Sequence, residues 1–308
     1  MLTASFVIPT KNSGRTIGEC LASLVPYYER GYVEDIVIVD AFSTDDTLEK
    51  AQKFPVQILP DPSTIPNMTY AFEVGWRQTT GDPVVFFDSD AYLGEGFLPK
   101  LFNFFRDEHV GVLGCDVRPV MREGWIADAV NQWATNDREA HFSPGILGRL
   151  HHWSSSGDSQ IPIPHGPCHV VRRACLEAVD GFRGVPYRVP PDEALSKRIM
   201  RLGWRGSWWV DSPVYNHNRT GIKALIRQHA HNGRAVGLLH RDREFRVGWF
   251  RIAMCLAGRL GTPLEAVLMT IRWINPIHLV LYPLAHYAFA LGYITGLGSD
   301  PEAQQRIP

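Results

Sequence analysis

Between residues 4 and 116, short apolar runs alternate with stretches of helical period. That alternation restricts the fold more than any other feature of the chain. Ala4 to Pro9, Asp35 to Asp40, Val56 to Leu59, Val84 to Phe87 and Val110 to Asp116 have strand length and are rich in β-branched or aromatic residues. Between them, Gly14 to Leu24 has Ile17, Leu21 and Leu24 on one helical face. Ser43-Thr44-Asp45-Asp46 supplies hydroxyls and carboxylates suited to the start of a helix that reaches Phe54. Asn67 to Thr79, closed by Gly81, and Phe97 to Arg106 read as two further helices. Strands alternating with helices imply parallel βαβ units and the α/β class.

The remainder is less regular. Residues 121–160 are rich in Trp, His, Asn and Ser with weak periodicity, and read as a helix plus a mobile loop. His169 to Val171 is a short strand, Arg173 to Val179 a helix ending at Gly181, and Asp192 to Leu202 a helix ending at Gly203. Trp208 to Val210 and Val214 to Asn216 read as two short strands. From Gly221 to Leu297 the pattern is mostly helical, with breaks expected near Gly233, Gly261-Thr262-Pro263, Asn275-Pro276 and Pro283. A length of 308 residues fits one large α/β domain, or such a domain with a helical part appended.

A net charge of −1 gives no global electrostatic case for binding nucleic acid. Five scattered cysteines (Cys20, Cys115, Cys168, Cys175, Cys255) lack zinc-site spacing and read as reduced thiols of a cytosolic protein. Met-Leu-Thr-Ala-Ser lacks the regions of a signal peptide, which agrees with a cytoplasmic location.

Chemistry concentrates where strands end. Val84-Val85-Phe86-Phe87 runs directly into Asp88-Ser89-Asp90. In an open α/β sheet ligands bind beyond the carboxyl ends of the strands, so this spacing offers two hard oxygen ligands to a divalent cation and a phosphorylated substrate. A surface turn capping the next helix is the structural alternative. Asp40 ends the second strand and Pro9-Thr10-Lys11-Asn12 ends the first, so both belong to the same rim. There a carboxylate can accept from a base or a ribose and loop amides can serve phosphate; for Asp40 an Asx-turn is the alternative. Asp192 follows Pro190-Pro191 at a helix start, a place for capping or for a general base at a pocket mouth. His217 follows a short strand and, with Asp90, has the chemistry of a metal ligand.

Taken in order, Val-Ile-Pro-Thr-Lys-Asn (7–12), Ile-Val-Ile-Val-Asp-Ala-Phe-Ser-Thr-Asp-Asp-Thr (36–47), Phe-Phe-Asp-Ser-Asp (86–90), Arg172-Arg173 with Gly181-Phe182, and Asp192-Glu193-Ala194-Leu195 resemble the family 2 glycosyltransferases over residues 4–218. The resemblance implies a GT-A fold, a Rossmann-like mixed sheet flanked by helices. It also implies inverting transfer of a sugar from a nucleotide-diphosphate donor (UDP, GDP or dTDP) with Mg²⁺ or Mn²⁺. In its terms Asp40 binds the base and Pro9, Thr10 and Asn12 line that pocket. Asp88 contacts ribose or metal, with Ser89 beside it on the donor side, and Asp90 and His217 hold the metal. Gly166, within His165-Gly166-Pro167-Cys168, lies beside the donor sugar, and Asp192 deprotonates the acceptor hydroxyl. Three departures stand out. Pro191 replaces the Glu that usually precedes the catalytic Asp. Ala71-Phe72-Glu73 replaces an Ala-Arg-Asn donor contact. Gln228-His229-Ala230-His231-Asn232 lacks the Arg-Trp of processive members, which argues for a single linkage.

The expected organisation is a catalytic domain at 1–220 (donor half 1–116, acceptor half 117–220) and a basic, then apolar, helical region at 221–308. From Arg219 to Arg259 nine Lys or Arg face only Asp242 and Glu244, and Ile277 to Leu297 carries no Asp, Glu, Lys or Arg. That pattern suits an anionic membrane surface or a lipid-linked or cell-envelope glycan acceptor, placing the protein at the inner face of the cell membrane. Helices packed on the catalytic part or in a homo-oligomer interface are the alternative; a true span is a third, though Pro276, Pro283 and Gly292 interrupt the segment. A catalytically degenerate sugar-nucleotide-binding scaffold is the competing non-enzymatic reading. A sugar-nucleotide pyrophosphorylase is disfavoured, because Ile8 to Arg15 does not supply its Gly-rich loop.

Overall fold

The computed structural model describes residues 2–63, 66–120, 128–130, 132, 166–217, 221–260, 262–300 and 305–308. Most of the segment expected to be a helix and mobile loop at 121–160, and His165, lie outside these residues; 128–130 and 132 are helical. In chain order the sheet-bearing part comprises β1 (Ala4–Thr10), α1 (Ile17–Glu29), β2 (Val33–Asp40), α2 (Thr47–Ala51), β3 (Gln57–Pro60), α3 (Met68–Trp76), β4 (Val84–Phe87), β5 (Ala91–Leu93), α4 (Phe97–Phe104), β6 (Val110–Pro119), β7 (Cys168–Val171), α5 (Arg173–Ala178), α6 (Pro191–Arg201) and β8 (Arg205–Asn216). The helices α7 (Ile222–Arg241), α8 (Trp249–Leu260), α9 (Thr262–Trp273) and α10 (His278–Leu297) follow.

The strands form one sheet of order β3-β2-β1-β4-β7-β6-β8-β5. β1 to β4 pair in parallel, as the βαβ pattern requires. β7 runs antiparallel to β4 and β6, and β5 antiparallel to β8, so the sheet is mixed. Alternate residues of each strand face opposite ways. Phe6, Ile8, Val85 and Phe87 pack with Leu21, Leu24, Phe97 and Leu101 of α1 and α4. Val7, Val84 and Phe86 pack on the other side with Phe72, Trp76, Leu176 and Leu195 of α3, α5 and α6. There Phe86 lies 4.8 Å from Phe72 and 5.3 Å from Phe182, ring centre to ring centre. Such pairs add about 0.5–1.5 kcal/mol beyond the area they bury.

Several expectations need correction. α1 continues through Pro26 to Glu29, at the loss of one backbone donor. The strands expected at 208–210 and 214–216 are one strand, β8, which stays paired to β6 through a register shift between Cys115 and Val117. β5, three residues long, was not anticipated. Gly233 and Pro283 do not break helices: α7 and α10 run through them. The reason at Gly233 is packing, because a Cβ there would lie 2.0 Å from the Phe289 carbonyl oxygen of α10. Pro283 lies in the second turn of α10 and removes a single donor.

The helical extension is joined to the sheet-bearing part on two sides. Leu238, Leu239 and Phe245 enter the second core. Residues 305–308 return to pair with 184–187, where Tyr187 N–H donates to Gln305 O (2.9 Å) and Ile307 N–H to Val185 O (3.0 Å). A boundary at 220 is therefore not a clean division. All five cysteines are buried and unlinked. Burial and the charges of Asp90 and Asp88 push the Cys20 thiol far up, and burial pushes Cys175 up to about 12, so both are chemically inert at neutral pH.

Candidate functional site

Parallel pairing places Thr10, Asp40, Pro60 and Phe87, the carboxyl ends of β1 to β4, on one rim of the sheet. The antiparallel partners bring the residues leading into β5 and β7, and the end of β8, to the same rim. A cleft of about 670 Å³ opens there. Its wall includes Pro9 and Thr10 at the end of β1, Lys11, Asn12, Ser13 and Arg15 after it, Asp61 after β3, Asn67 and Ala71 at the start of α3, and Asp88, Ser89, Asp90 and His217.

The β1 and β2 turns are tied to each other. Asn12 adopts a left-handed conformation (φ 50°), which Asn tolerates better than most residues. Its backbone N–H donates to Ser43 Oγ (2.8 Å), and its Oδ1 accepts from the Thr44 N–H (2.8 Å). Asp40 accepts from Ser43 twice, from its N–H (3.0 Å) and its hydroxyl (2.5 Å), which is the Asx-turn alternative. Asp40 and Asp61, one strand over, are both buried; Asp61 lines the cleft, as do Val39 and Ala41 on either side of Asp40. Asp61 accepts from the Ser63 N–H (2.8 Å) and hydroxyl (2.5 Å) and from the Asn67 N–H (3.3 Å). Asn67 in turn caps α3 by accepting from the Tyr70 N–H (3.0 Å). The buried Thr10 hydroxyl has no hydrogen-bond partner among the described residues, so this wall retains an unsatisfied polar atom.

Beyond β4 the acidic groups gather. Burial pushes the Asp88 carboxyl well above the usual carboxylate range, and the charges of Asp90 and then Asp192 push it further. Ser89 and Ser13 share a hydrogen bond (2.8 Å) that fixes the Asp88–Asp90 turn against α1's leading loop. Asp90 Oδ1 accepts from the Asn216 side-chain amide (2.8 Å), and its carbonyl accepts from the His217 N–H (2.9 Å). Crowded carboxylates that resist ionising together are relieved by a bound cation, and all-oxygen donors suit Mg²⁺ or Mn²⁺. Among the described residues no group of three or more His, Cys, Asp or Glu side chains is placed to hold a metal. A hard cation held by Asp88 and Asp90 would take its remaining ligands from water or a substrate diphosphate. His217, expected to complete the sphere, lines the cleft with Asp88 and Asp90, and its Nε2 lies 2.7 Å from Glu19 Oε2 of α1.

Asp192 sits one residue inside α6, after Pro191 at the first helical position. Its Oδ2 accepts from the Gly166 N–H (2.7 Å) and its Oδ1 from the Glu193 N–H (2.9 Å). Gly166 has φ +112°, a conformation that favours glycine, which aims its N–H at Asp192. The departure at 71–73 also has an explanation. Glu73 turns into the core, accepting from Trp76 Nε1 (2.7 Å), Arg77 Nε (2.6 Å) and the Phe182 N–H (2.9 Å). It locks α3 to the loop after α5, while Ala71 from the same helix faces the cleft.

Sequence reasoning thus missed Asp61, Ser13, Asn67, Asn216 and Glu19. Asp61 was findable, since it follows a recognised strand just as Asp40 does. Glu19 carried no signal, because its partner is 198 residues away.

Known proteins agree with this layout. The sequence model of Glycosyl transferase family 2 matches residues 5–179. Glucosyl-3-phosphoglycerate synthase of Mycolicibacterium smegmatis is 31% identical over 108 residues, 33% of this chain and 35% of that protein. Poly(ribitol-phosphate) beta-N-acetylglucosaminyltransferase TarS of Staphylococcus aureus is 31% identical over 130 residues, 40% of this chain and 22% of that protein. The matched stretches thus span about a third or less of these relatives' own length. Among solved structures, mannosyltransferase PcManGT of Pyrobaculum calidifontis, in complex with GDP-Man and Mn²⁺, has a TM-score of 0.62 at 19% identity, covering 96% of this chain and 86% of its own. Glucosyl-3-phosphoglycerate synthase of Mycobacterium tuberculosis, with Mn²⁺, UDP and phosphoglyceric acid, has a TM-score of 0.54 at 20% identity, covering 78% of each chain. At such identities the likeness is one of fold, here GT-A. With the family's sequence pattern matched over more than half its length, this chain belongs to glycosyl transferase family 2.

Proposed function

We propose that the chain is an inverting glycosyltransferase that uses Mg²⁺ or Mn²⁺ and moves one sugar from a nucleotide-diphosphate donor to an acceptor hydroxyl. The single observation that carries this reading is the pair Asp88 and Asp90 on the wall of the cleft, with Asp192 near enough for its charge to raise the Asp88 carboxyl. Asp88 and Asp90 would hold the cation, which when bound neutralises charge on the leaving diphosphate. Asp61 and the Thr10 hydroxyl are the polar groups offered to the nucleoside, and Asn12 shapes the wall beside them. Asp40 acts one layer behind, holding the 40–44 turn. Asp192 takes the acceptor proton, a role worth about 10²–10⁴-fold in rate. Its two hydrogen bonds fix the carboxylate's direction, and Glu193, paired with Lys197 at 2.6 Å, steadies the same helical turn. The relatives' names include phosphorylated small-molecule and polymer acceptors. For this chain we favour an acceptor in a lipid-linked or cell-envelope glycan, made in single additions, because the helices following the cleft are basic and then apolar.

The test is donor-dependent thermal stabilisation with UDP-, GDP- and dTDP-sugars, with Mn²⁺ and with EDTA, followed by transfer assays. A metal-dependent shift with one nucleotide class, and loss of turnover in Asp192→Asn with donor binding intact, are expected. Donor binding with unchanged turnover in Asp192→Asn would remove Asp192 as base. Binding without turnover in the unaltered chain, whatever the acceptor, would favour the scaffold reading.

A further inference from the structure

Among the described residues, the helices after the catalytic part leave a broad apolar surface uncovered. On α9 and the turn after it, Leu264, Leu268, Ile271 and Ile274 recur at helical spacing; Ile271 is 70% and Ile274 90% exposed. On α10, Val280, Leu284, Tyr287, Leu291 and Ile294 form a second exposed stripe. Trp249, 78% exposed, and Phe250 begin α8. Large apolar side chains exposed together on three consecutive helices are not the scattered surface residues of an ordinary soluble domain.

Charge accompanies that surface. Residues 221–300 hold nine Lys or Arg against four Asp or Glu, a surplus of five on a chain whose net charge is −1. Lys223, Arg227, Arg234 and Arg241 are all exposed. At 100° per residue they fall within about 40° of one line along α7, a ladder roughly 27 Å long. The ladder borders the α7–α10 contact, because the Arg234 backbone itself touches Gly292 and Gly296. Arg246 and Arg272 flank the apolar residues of α8 and α9 in sequence.

α10 has, by length and composition, the character of a membrane span. Its other face, however, is bound to the basic helix: Tyr293 Oη lies 2.8 Å from His240 Nδ1, and backbone meets backbone at four glycines. Crossing a bilayer would carry the α7 cations with it. Lying in the plane of the interface would bury the apolar stripes and leave the cations at headgroup level.

We propose that the α8–α10 surface, with the α7 cation ladder beside it, docks on the face of an anionic lipid bilayer. A bilayer is favoured over a second copy of the chain because the apolar area is accompanied by a cation surplus, which a symmetric partner would repel. The surface also leads to the cleft. Ala224, in the first turn of α7, lines the cleft next to Lys223, so a bilayer held there places lipid-borne acceptors at the mouth of the site. Docking itself does not depend on the transferase reading.

The experiment is flotation of the full chain with vesicles of phosphatidylcholine alone and of phosphatidylcholine with phosphatidylglycerol, at low and high salt. The comparison uses Ile271→Ser/Ile274→Ser, Trp249→Ser and Lys223→Gln/Arg227→Gln. Circular dichroism and nucleotide-induced thermal shifts monitor the fold of each variant. We expect flotation only with the anionic vesicles. It should weaken at least tenfold in the apolar double variant and about fivefold per cation removed, with unchanged melting curves. No flotation of the unaltered chain would overturn the proposal. So would a concentration-dependent dimer in light scattering that the apolar double variant abolishes, since a second copy would then occupy the surface. Loss of flotation with donor-dependent turnover on a soluble acceptor intact would support docking alone; loss of turnover with flotation intact would bear on the catalytic reading alone.

Discussion

Replacing Gly233 by alanine sets two effects of opposite sign against each other, and the structure decides between them. In an isolated helix the change stabilises, because glycine is roughly 0.8–1.0 kcal/mol worse than alanine in a helix interior. In α7 the new Cβ would stand 2.0 Å from the Phe289 carbonyl oxygen and 2.8 Å from its carbon. Ordinary contact begins near 3.4 Å, so α10 must retreat by about an ångström or more. A backbone atom cannot rotate aside as a side chain can. Separating the helices also loosens the neighbouring close approaches, where an added Cβ would lie 2.3 Å from Tyr293 O at Gly237, 2.0 Å from Ala230 O at Gly292 and 2.3 Å from Arg234 O at Gly296. Overpacking of this kind costs about 1–3 kcal/mol, and the rigidity of the obstacle places it at the upper end. After the propensity gain, Gly233→Ala should lose about 1–2 kcal/mol, or several degrees of Tm for a chain of this size. Gly292→Ala should behave alike, and the double variant should lose less than the sum because both press on one crossing. Gly18 in α1 is the control: a Cβ there meets nothing within 4 Å, so Gly18→Ala should leave Tm unchanged or raise it. Denaturant melts by circular dichroism read all four. If Gly233→Ala melts higher than the unaltered protein, the close-contact account of α7 and α10 is wrong.

Other predictions test the site and the extension. Asp88→Asn removes a carboxylate that burial, Asp90 and Asp192 disfavour ionising, so the metal-free protein should melt higher at pH 7 while Mn²⁺-dependent stabilisation disappears; calorimetry with and without Mn²⁺ reads both. Asp61→Ala, which frees the bonds from Ser63 and Asn67, and Asp40→Ala, which frees both bonds from Ser43, should each lower Tm, but only Asp61→Ala should weaken nucleotide binding in titration calorimetry. A result with these roles exchanged would return base recognition to Asp40. His240 is buried against Tyr293, and burial pushes its imidazole down to about 4, with Glu193, Lys197 and Arg251 nearby. Since the unfolded chain takes the proton near pH 6.5, the stability this group contributes is present above that pH and lost as pH falls toward 4. The loss amounts to at most about 3 kcal/mol. His240→Gln should flatten Tm between pH 6.5 and 4, and an unchanged slope would assign the acid lability elsewhere, His229 being the next candidate because burial and Arg259 also push it down to about 4.

What could be read from the sequence was local or periodic. Strands β1 to β4, their parallel sense and the Asp88-Ser89-Asp90 turn follow from apolar runs and the residues that stop them, because period and strand ends are properties of neighbouring residues. The same logic reached Asp192 through its prolines. It failed where the deciding partner is remote in sequence. Gly233 looked like a break until α10, nearly sixty residues later, proved to need the space a side chain would fill. Pro283 misled for the mirror reason, since a helix already held by tertiary packing tolerates one missing donor. His217 had the chemistry of a metal ligand, and only folding brought Glu19 to its ring. Asp40 and Asp61 are alike as buried strand-end aspartates that hold their own turns, Asp40 through Ser43 and Asp61 through Ser63 and Asn67, and only the fold places Asp61 on the cleft wall. The sequence by itself determined the parallel βαβ half of the sheet, the carboxylates and the uneven charge. Only the tertiary structure decided which polar groups face the cleft and which apolar stripes stay uncovered, because both depend on what each side chain meets across the fold.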